Sequence, residues 1–321
     1  MQPKFIHLRL HSEFSLVDGL VKVKPLASAL AELNMPAVAM TDQGNLFSLV
    51  KFYRASLAKG IKPIAGADIY LLNPDDLATP FCLTLLVKNN TGYRVLTELV
   101  SKAYQEGQHQ GVPMVKREWI EENNEGLIAL SGAMEGDIGT ALLADDAEKA
   151  TELAQYWKNL FPESFYLEIQ RIGKAQEESY LAQAVALATA LDLPVVATNN
   201  VRFLKPENFE AHEIRVCINQ GRVIDDNRRP KNYTEQQYLR STEEMLALFS
   251  DVPEALENTV EIAQRCNIEL TLGKNFLPDF PVPEGMTIAE FFSQESYKGL
   301  EERLPVLFPE KEILEQKRAE Y

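Results

Sequence analysis

The sequence predicts an α/β fold. Seven short apolar runs, rich in β-branched or aromatic residues, punctuate the first 200 residues, as buried strands do. Stretches with helical spacing separate most of them, and after residue 200 the alternation stops. Repeated strand–helix units imply a parallel sheet joined by right-handed crossovers. Seven units suggest a barrel, while an open doubly wound sheet fits the same pattern.

The runs are "FIHLRL" (5–10), "AVAMTD" (37–42), "PIAGADIYLL" (63–72), "CLTLLV" (82–87), "GLIALS" (126–131), "FYLEIQ" (165–170) and "PVVATN" (194–199). A strand sends alternate side chains to opposite faces. In the first run Ile6, Leu8 and Leu10 would share one face, and His7, Arg9 and His11 the other. Leu26, Leu30 and Leu33 recur at helical spacing and stop before Pro36. Leu46, Leu49, Val50, Tyr53 and Leu57 form a second stripe, ended by Gly60. "GYRVLTELVSKAY", "DDAEKATELAQYWKNLF" and "EESYLAQAVALATALDL" supply further helices, and "PEALENTVEIAQRCN" is amphipathic with Pro253 near its first turn. The proline-rich "FLPDFPVPEG" (276–285) then reads as a linker or extended crossing segment. Two helical stretches follow, and the last, "EKEILEQKRAEY", has neither a glycine stop nor a final apolar anchor. The expected division is one domain over 1–275 and a linker opening a further, truncated region over 276–321.

Composition bounds the function. A chain of 321 residues with 45% hydrophobic content fits one large domain with an appendage. A net charge of −15 argues against a broad nucleic-acid face, because phosphate contacts need clustered Lys and Arg. A local basic patch is compatible with that balance. Cys82, Cys217 and Cys266 show no CxxC spacing, which indicates a reducing compartment without disulfides. No run has signal-peptide or membrane-spanning length, so a soluble cytoplasmic protein with no membrane partner is expected.

In a βα barrel the chemistry sits at the C-terminal strand ends. Those ends carry Arg9 and His11, Asp42 and Gln43, Asp68, Ala133, and Asn200 with Arg202; Asp18 follows the first run. Cys82 opens its run and fits that rule poorly. Imidazoles at 7, 9 and 11 would gather metal ligands, but the middle position is an arginine, which cannot ligate. His109 reads as a solvated loop residue, His212 as a capping or packing residue, and Trp119, Trp157, Cys217 and Cys266 as core. No P-loop, dinucleotide fingerprint or nucleophile elbow is present.

The motifs "HLRLHSEFSLVDG", "AMTDQGNLFSLVKFY", "GIKPIAGADIY", "LTLLVKNNTGY", "GLIALSG", "VVATNNVRF" and "AHEIRV" occur in an order and spacing that resembles the N-terminal PHP-domain region of bacterial replicative DNA polymerase III alpha subunits. "FLPDFPVPEG" resembles the segment that joins that region to the polymerase palm. The resemblance implies a distorted seven-stranded βα barrel followed by a palm. It also implies a set of metal-ligand positions. The first two fall on Arg9, a loss, and His11, which is kept. Asp18 is kept, and Gln43 replaces a histidine. Asp68 stands for a glutamate and Cys82 for a histidine. Ala133 replaces a cysteine or histidine. Asn200 and Arg202 replace a final aspartate and histidine.

A guanidinium repels a divalent ion: at ~4 Å and an effective dielectric of about 20, each unit pair costs around 4 kcal/mol. It also attracts carboxylates. The expectation is a vestigial metal site with no bound metal and no catalytic residue, in which Arg9 or Arg202 pairs with Asp18, Asp42 or Asp68. The resemblance supplies the expected partners: the proofreading exonuclease subunit, docked on this domain, and DNA, reached through polymerase domains whose cofactor would be Mg. The competing expectation is residual metal-dependent phosphoesterase or exonuclease chemistry on His11, Asp18, Asp68 and Cys82.

Overall fold

Six of the seven apolar runs form strands. They are β1 (Ala37–Gln43), β2 (Lys62–Leu71), β3 (Phe81–Val87), β6 (Leu127–Leu130), β7 (Phe165–Gln170) and β8 (Val195–Thr198). Between β3 and β6 lies a small hairpin, β4 (Gln108–His109) and β5 (Val112–Val115), that the apolar pattern did not reveal. This computed structural model describes residues 3–321, in a first unit that ends at Leu270 and a second spanning Thr271–Tyr321.

The sheet is mixed, which corrects the expectation of an all-parallel one. β1 runs parallel to β2, and β6, β7 and β8 are parallel neighbours. β3 runs antiparallel to both β2 and β6. The link between β2 and β3 covers only residues 72–80. A parallel crossover needs about a dozen residues or more, so a link this short returns the chain antiparallel.

The seventh run, Phe5–Leu10, is no regular strand, yet it closes the ring. On one side His7 O accepts from Ala39 N at 2.8 Å and Leu10 O from Thr41 N at 2.9 Å. On the other, Val201 O accepts from His11 N at 2.9 Å and Arg9 O from Val201 N at 3.1 Å. These bonds join β1 to the chain just beyond β8, so the segment is the last stave of a barrel.

The spacing of those bonds explains its irregularity. The step from Ala39 to Thr41 on β1 is matched by the longer step from His7 to Leu10. One residue is extra, which is a β-bulge. Side-chain hydroxyls take two of its amides: Thr259 Oγ1 accepts from Ile6 N at 2.9 Å, and Thr41 Oγ1 from Leu10 N at 3.1 Å. The strict alternation expected for this run is therefore wrong. Ile6 and Leu8 join the apolar cluster inside the barrel, whereas Leu10 joins the outer one. Arg9 and His11 point inward above Leu8, against Asp68 of β2. Without the bulge, residues that continue Leu8's face would exclude both of them from the interior.

The barrel floor is Ile6, Leu8, Ile64, Leu86, Ile128 and Val196, closed by Ile262 and Cys266. The outer core packs α1 (Val23–Glu32), α2 (Leu49–Leu57), α3 (Asn90–Glu106), α4 (Arg117–Glu122), α5 (Asp137–Leu143), α6 (Ala147–Leu160) and α7 (Glu177–Leu191) around the staves. Gly92 of α3 illustrates how closely: an added Cβ would lie 1.9 Å from Gly126 O. α8 (Phe209–Gln220), α9 (Thr242–Leu248) and α10 (Glu254–Arg265) complete the first unit. Residues 274–283 are neither helix nor strand. The second unit holds α11 (Ile288–Leu307), started by a Thr287–Glu290 capping box, and α12 (Lys311–Glu320).

Candidate functional site at the barrel mouth

Above the apolar floor the interior turns polar. Arg9, His11, Asp68, Thr84 and Glu168 are fully buried there, and Asp18, Cys82 and Arg202 nearly so. Buried charges require partners, and these have them. Arg9 Nε donates to Asp68 Oδ2 at 2.6 Å, Nη1 to Glu168 Oε1 at 3.3 Å, and Nη2 to Cys82 Sγ at 3.1 Å. Glu135 Oε2 lies 3.5 Å from the same guanidinium. Arg202 Nη1 pairs with Asp18 Oδ2 and reaches His11 Nδ1. His11 Nε2 sits 2.7 Å from Asp68 Oδ2, and Thr84 Oγ1 donates to Asp68 Oδ1 at 2.6 Å. Tyr233 OH donates to Asp18 Oδ2 at 2.8 Å, with its ring 5.7 Å from the Arg202 guanidinium.

The electrostatics follow. Burial alone would raise the Asp68 pKa, but the charge of Arg9, then His11, holds it well below the usual carboxylate range. Asp18 is likewise held down against burial, chiefly by Arg202. Burial pushes the Cys82 thiol well up despite the adjacent Arg9.

The network brings together Arg9, His11, Asp18, Asp68, Cys82 and Arg202. Cys82 belongs because β3 is antiparallel, which brings its first residues to the mouth; the misfit noted from sequence disappears. Gln43 Nε2 donates to Asp68 O at 3.0 Å. Ala133 is buried and offers no polar side-chain atom. Asn200 is buried with a left-handed backbone (φ 45°), and neither amide atom of its side chain has a partner. Asp42, named above as a possible arginine partner, pairs with neither. Its carboxylate accepts from Ser12 N (2.6 Å), Ser12 Oγ (2.8 Å), Ser15 Oγ (2.8 Å) and Ser48 Oγ (2.6 Å).

Glu168, Glu135, Thr84 and Tyr233 escaped the sequence reading. Glu168 carried a usable signal: a carboxylate amid the apolar "FYLEIQ" of a buried strand must have a cationic partner. The mouth opens into a cavity of about 450 Å³ lined by Gln43, Tyr70, Glu135, Lys174, Lys231 and Tyr233, among others. A larger cleft, about 670 Å³, lies against α10 around Leu256 and Val260, but no buried charges converge on it.

These residues do not fit a metal cluster. Ligation needs lone pairs free to face one centre. Asp68 Oδ2 is shared between Arg9 and His11, and Asp18 Oδ2 between Arg202 and Tyr233; of the carboxylates at the mouth, Asp18 Oδ1 and Glu168 Oε2 are left without a hydrogen-bond partner among the described residues. Both ring nitrogens of His11 are engaged. Cys82 Sγ accepts from Arg9 Nη2. The Arg9 guanidinium bonds to Asp68 and Cys82, and that of Arg202 to Asp18 and His11.

The barrel with this inward-facing polar layer defines the class. The chain matches the family model described as "PHP domain" over residues 7–172 and belongs to that family. It is 57% identical to the DNA polymerase III subunit alpha of Pseudomonas fluorescens over 309 residues, covering 96% of this chain and 26% of that protein. The subunit from Pseudomonas aeruginosa is 58% identical with the same coverage, and that from Escherichia coli 50% identical over the whole chain and 28% of the relative. The chain thus spans about a quarter of the length of these curated relatives.

Acid should destabilise the first unit in two stages. Burial lowers His7 and His212 to about 4, so the unfolded chain takes up their protons first as pH falls below about 6.5. The stability of each neutral buried ring is full above that pH and is lost toward pH 4, by roughly 3 kcal/mol per histidine. Asp18 and Asp68 follow. Their depressed folded pKa values contribute stability above about pH 4 that is lost only below it. Urea unfolding between pH 7 and 4 reads this, and a flat stability from pH 7 to 5 would contradict the burial of these rings.

Proposed function

We propose that this chain is the front portion of a replicative DNA polymerase alpha subunit. In this reading its PHP domain is a non-catalytic scaffold that docks the proofreading exonuclease subunit and braces the polymerase core. Nucleotidyl transfer and DNA contact belong to domains outside this chain, with Mg as their cofactor. The observation that carries the non-catalytic reading is the pair of buried guanidiniums, Arg9 and Arg202, bound to the carboxylates that a metal would need. Cations there replace the electrostatic role of metal ions and hold the mouth together without reactivity. The names of the relatives support the polymerase context. The docking role extends the resemblance noted from sequence.

Two experiments test the reading. Purified chain mixed with the exonuclease subunit should co-elute, with a dissociation constant of micromolar or tighter by calorimetry. No binding by the folded chain, alongside clear binding by a full alpha subunit, would leave it a structural brace. Incubation with Mn or Zn and a phosphomonoester or single-stranded DNA should give no turnover. A metal-dependent rate abolished by His11→Ala would overturn the scaffold reading.

A further inference from the structure

The end of the barrel opposite the mouth gathers cations. β3 brings Cys82 to the mouth and ends at Val87, so Lys88 stands about 20 Å away, at the floor. Lys88 Nζ donates to Ser164 Oγ at 3.2 Å, and Arg265 Nη2, at the end of α10, donates to the same oxygen at 2.9 Å. Two cations on one oxygen stand within roughly 6 Å of each other, where like charges repel. Burial, then the charge of Arg265, lowers the Lys88 pKa below the usual lysine value. Lys62, which opens β2 at the same end, donates to Ala263 O at 2.7 Å and pairs with no carboxylate among the described residues.

Donors outnumber acceptors at this point. A hydroxyl has one hydrogen and two lone pairs. The two cations use the Ser164 oxygen as their acceptor, and its own hydrogen has no acceptor among the described residues, although Ser164 is only 4% exposed. Among the described residues no carboxylate pairs with Lys88, and Arg265 has one, Glu261 at 3.2 Å. Glu261 takes the other edge of that guanidinium: it accepts from Arg265 Nη1 and from Tyr166 OH. The exposed Glu125 and Glu163 of the neighbouring loops form no ion pair with either cation. The Nη2 edge, Lys88 and the Ser164 hydroxyl thus make a face of donors alone. Such a face fits a small oxyanion, whose oxygens accept from several charged donors at once. A nucleic-acid strand is the poorer match, because the chain carries −15 and these few cations do not extend into a stripe along a backbone.

We propose that Lys88, Arg265 and Ser164 form a phosphate-binding site at the barrel floor, where the bound anion ties α10 to the ends of β3 and β7. The site shares no residue with the mouth, so it stands independently of the scaffold reading. The test is equilibrium dialysis of the chain against radiolabelled inorganic phosphate at fixed ionic strength. Wild type is measured beside Lys88→Gln, Arg265→Gln and, for comparison, Lys231→Gln at the mouth cavity. All three substituted side chains reach solvent, so the fold should persist, which circular dichroism checks. The expected result is a single saturable phosphate per chain in wild type and in Lys231→Gln. Affinity should fall about tenfold or more in Lys88→Gln and in Arg265→Gln, since each loses a charge-assisted hydrogen bond. No saturable binding by wild type, or equal binding by all variants, would overturn the site. Binding lost in Lys231→Gln but kept in Lys88→Gln would place the anion at the mouth and overturn it as well. A single-stranded oligonucleotide that binds wild type but not Lys88→Gln, with inorganic phosphate unbound, would assign the face to a phosphodiester strand and overturn the small-anion proposal.

Discussion

Arg9→Ala should cost the first unit about 3–5 kcal/mol of unfolding free energy, because it leaves Asp68 and Glu168 buried without their cation. Arg9 is 1% exposed and both carboxylates are fully buried, so water cannot take over its role. Chemical denaturation of the purified protein measures the change. A loss below ~0.5 kcal/mol, the usual range for an exposed arginine, would mean that the pair adds little. A double-mutant cycle with Asp68→Ala isolates the coupling. The double variant should lose clearly less than the sum of the singles, since removing Asp68 also removes the buried charge that Arg9 neutralises.

Asp42→Ala should cost about 3–5 kcal/mol by a different route. That carboxylate accepts four hydrogen bonds, three of them from the Ser12 and Ser15 turn, and it is 1% exposed. Hydrogen bonds to a charged group contribute roughly 1.5–3 kcal/mol each, less than additively, and their loss strands buried donors. The turn so held leads into Asp18, so the substitution should also raise amide exchange across residues 12–19. Asp42→Asn keeps the shape but makes half the carboxylate a donor, and should fall between wild type and alanine. Exchange in residues 12–19 unchanged by Asp42→Ala would show that the turn is held by other contacts.

Much of this was legible in the sequence, for identifiable reasons. Short apolar runs such as "CLTLLV" and "PVVATN" marked buried strands, because a barrel stave covered on both faces needs apolar residues at nearly every position. The polar strand ends marked the mouth, and Arg9, His11, Asp18, Asp68 and Arg202 meet there. What stayed hidden was geometry that no local pattern encodes. The bulge at Leu8–Arg9 depends on which β1 amides the segment meets. The reversal of β3 was available from the short 72–80 link, but the helix–strand alternation concealed it. Asp42 has the same composition-level appearance as Asp68; only the three-dimensional approach of Ser12, Ser15 and Ser48 sets its role apart. Glu168 is the single charge of an otherwise uncharged strand, and its cationic partner, Arg9, lies on a stave 159 residues away in sequence.

In the scaffold reading proposed above, the Arg9 and Arg202 guanidiniums, paired with Asp68 and Asp18, take the place of a metal cluster. Elemental analysis of protein purified from cells grown with added zinc and manganese tests it most directly. No stoichiometric transition metal is expected in wild type, and no change in metal content in His11→Ala. One or more zinc or manganese ions per chain, lost when His11 and Asp18 are both replaced by alanine, would contradict it.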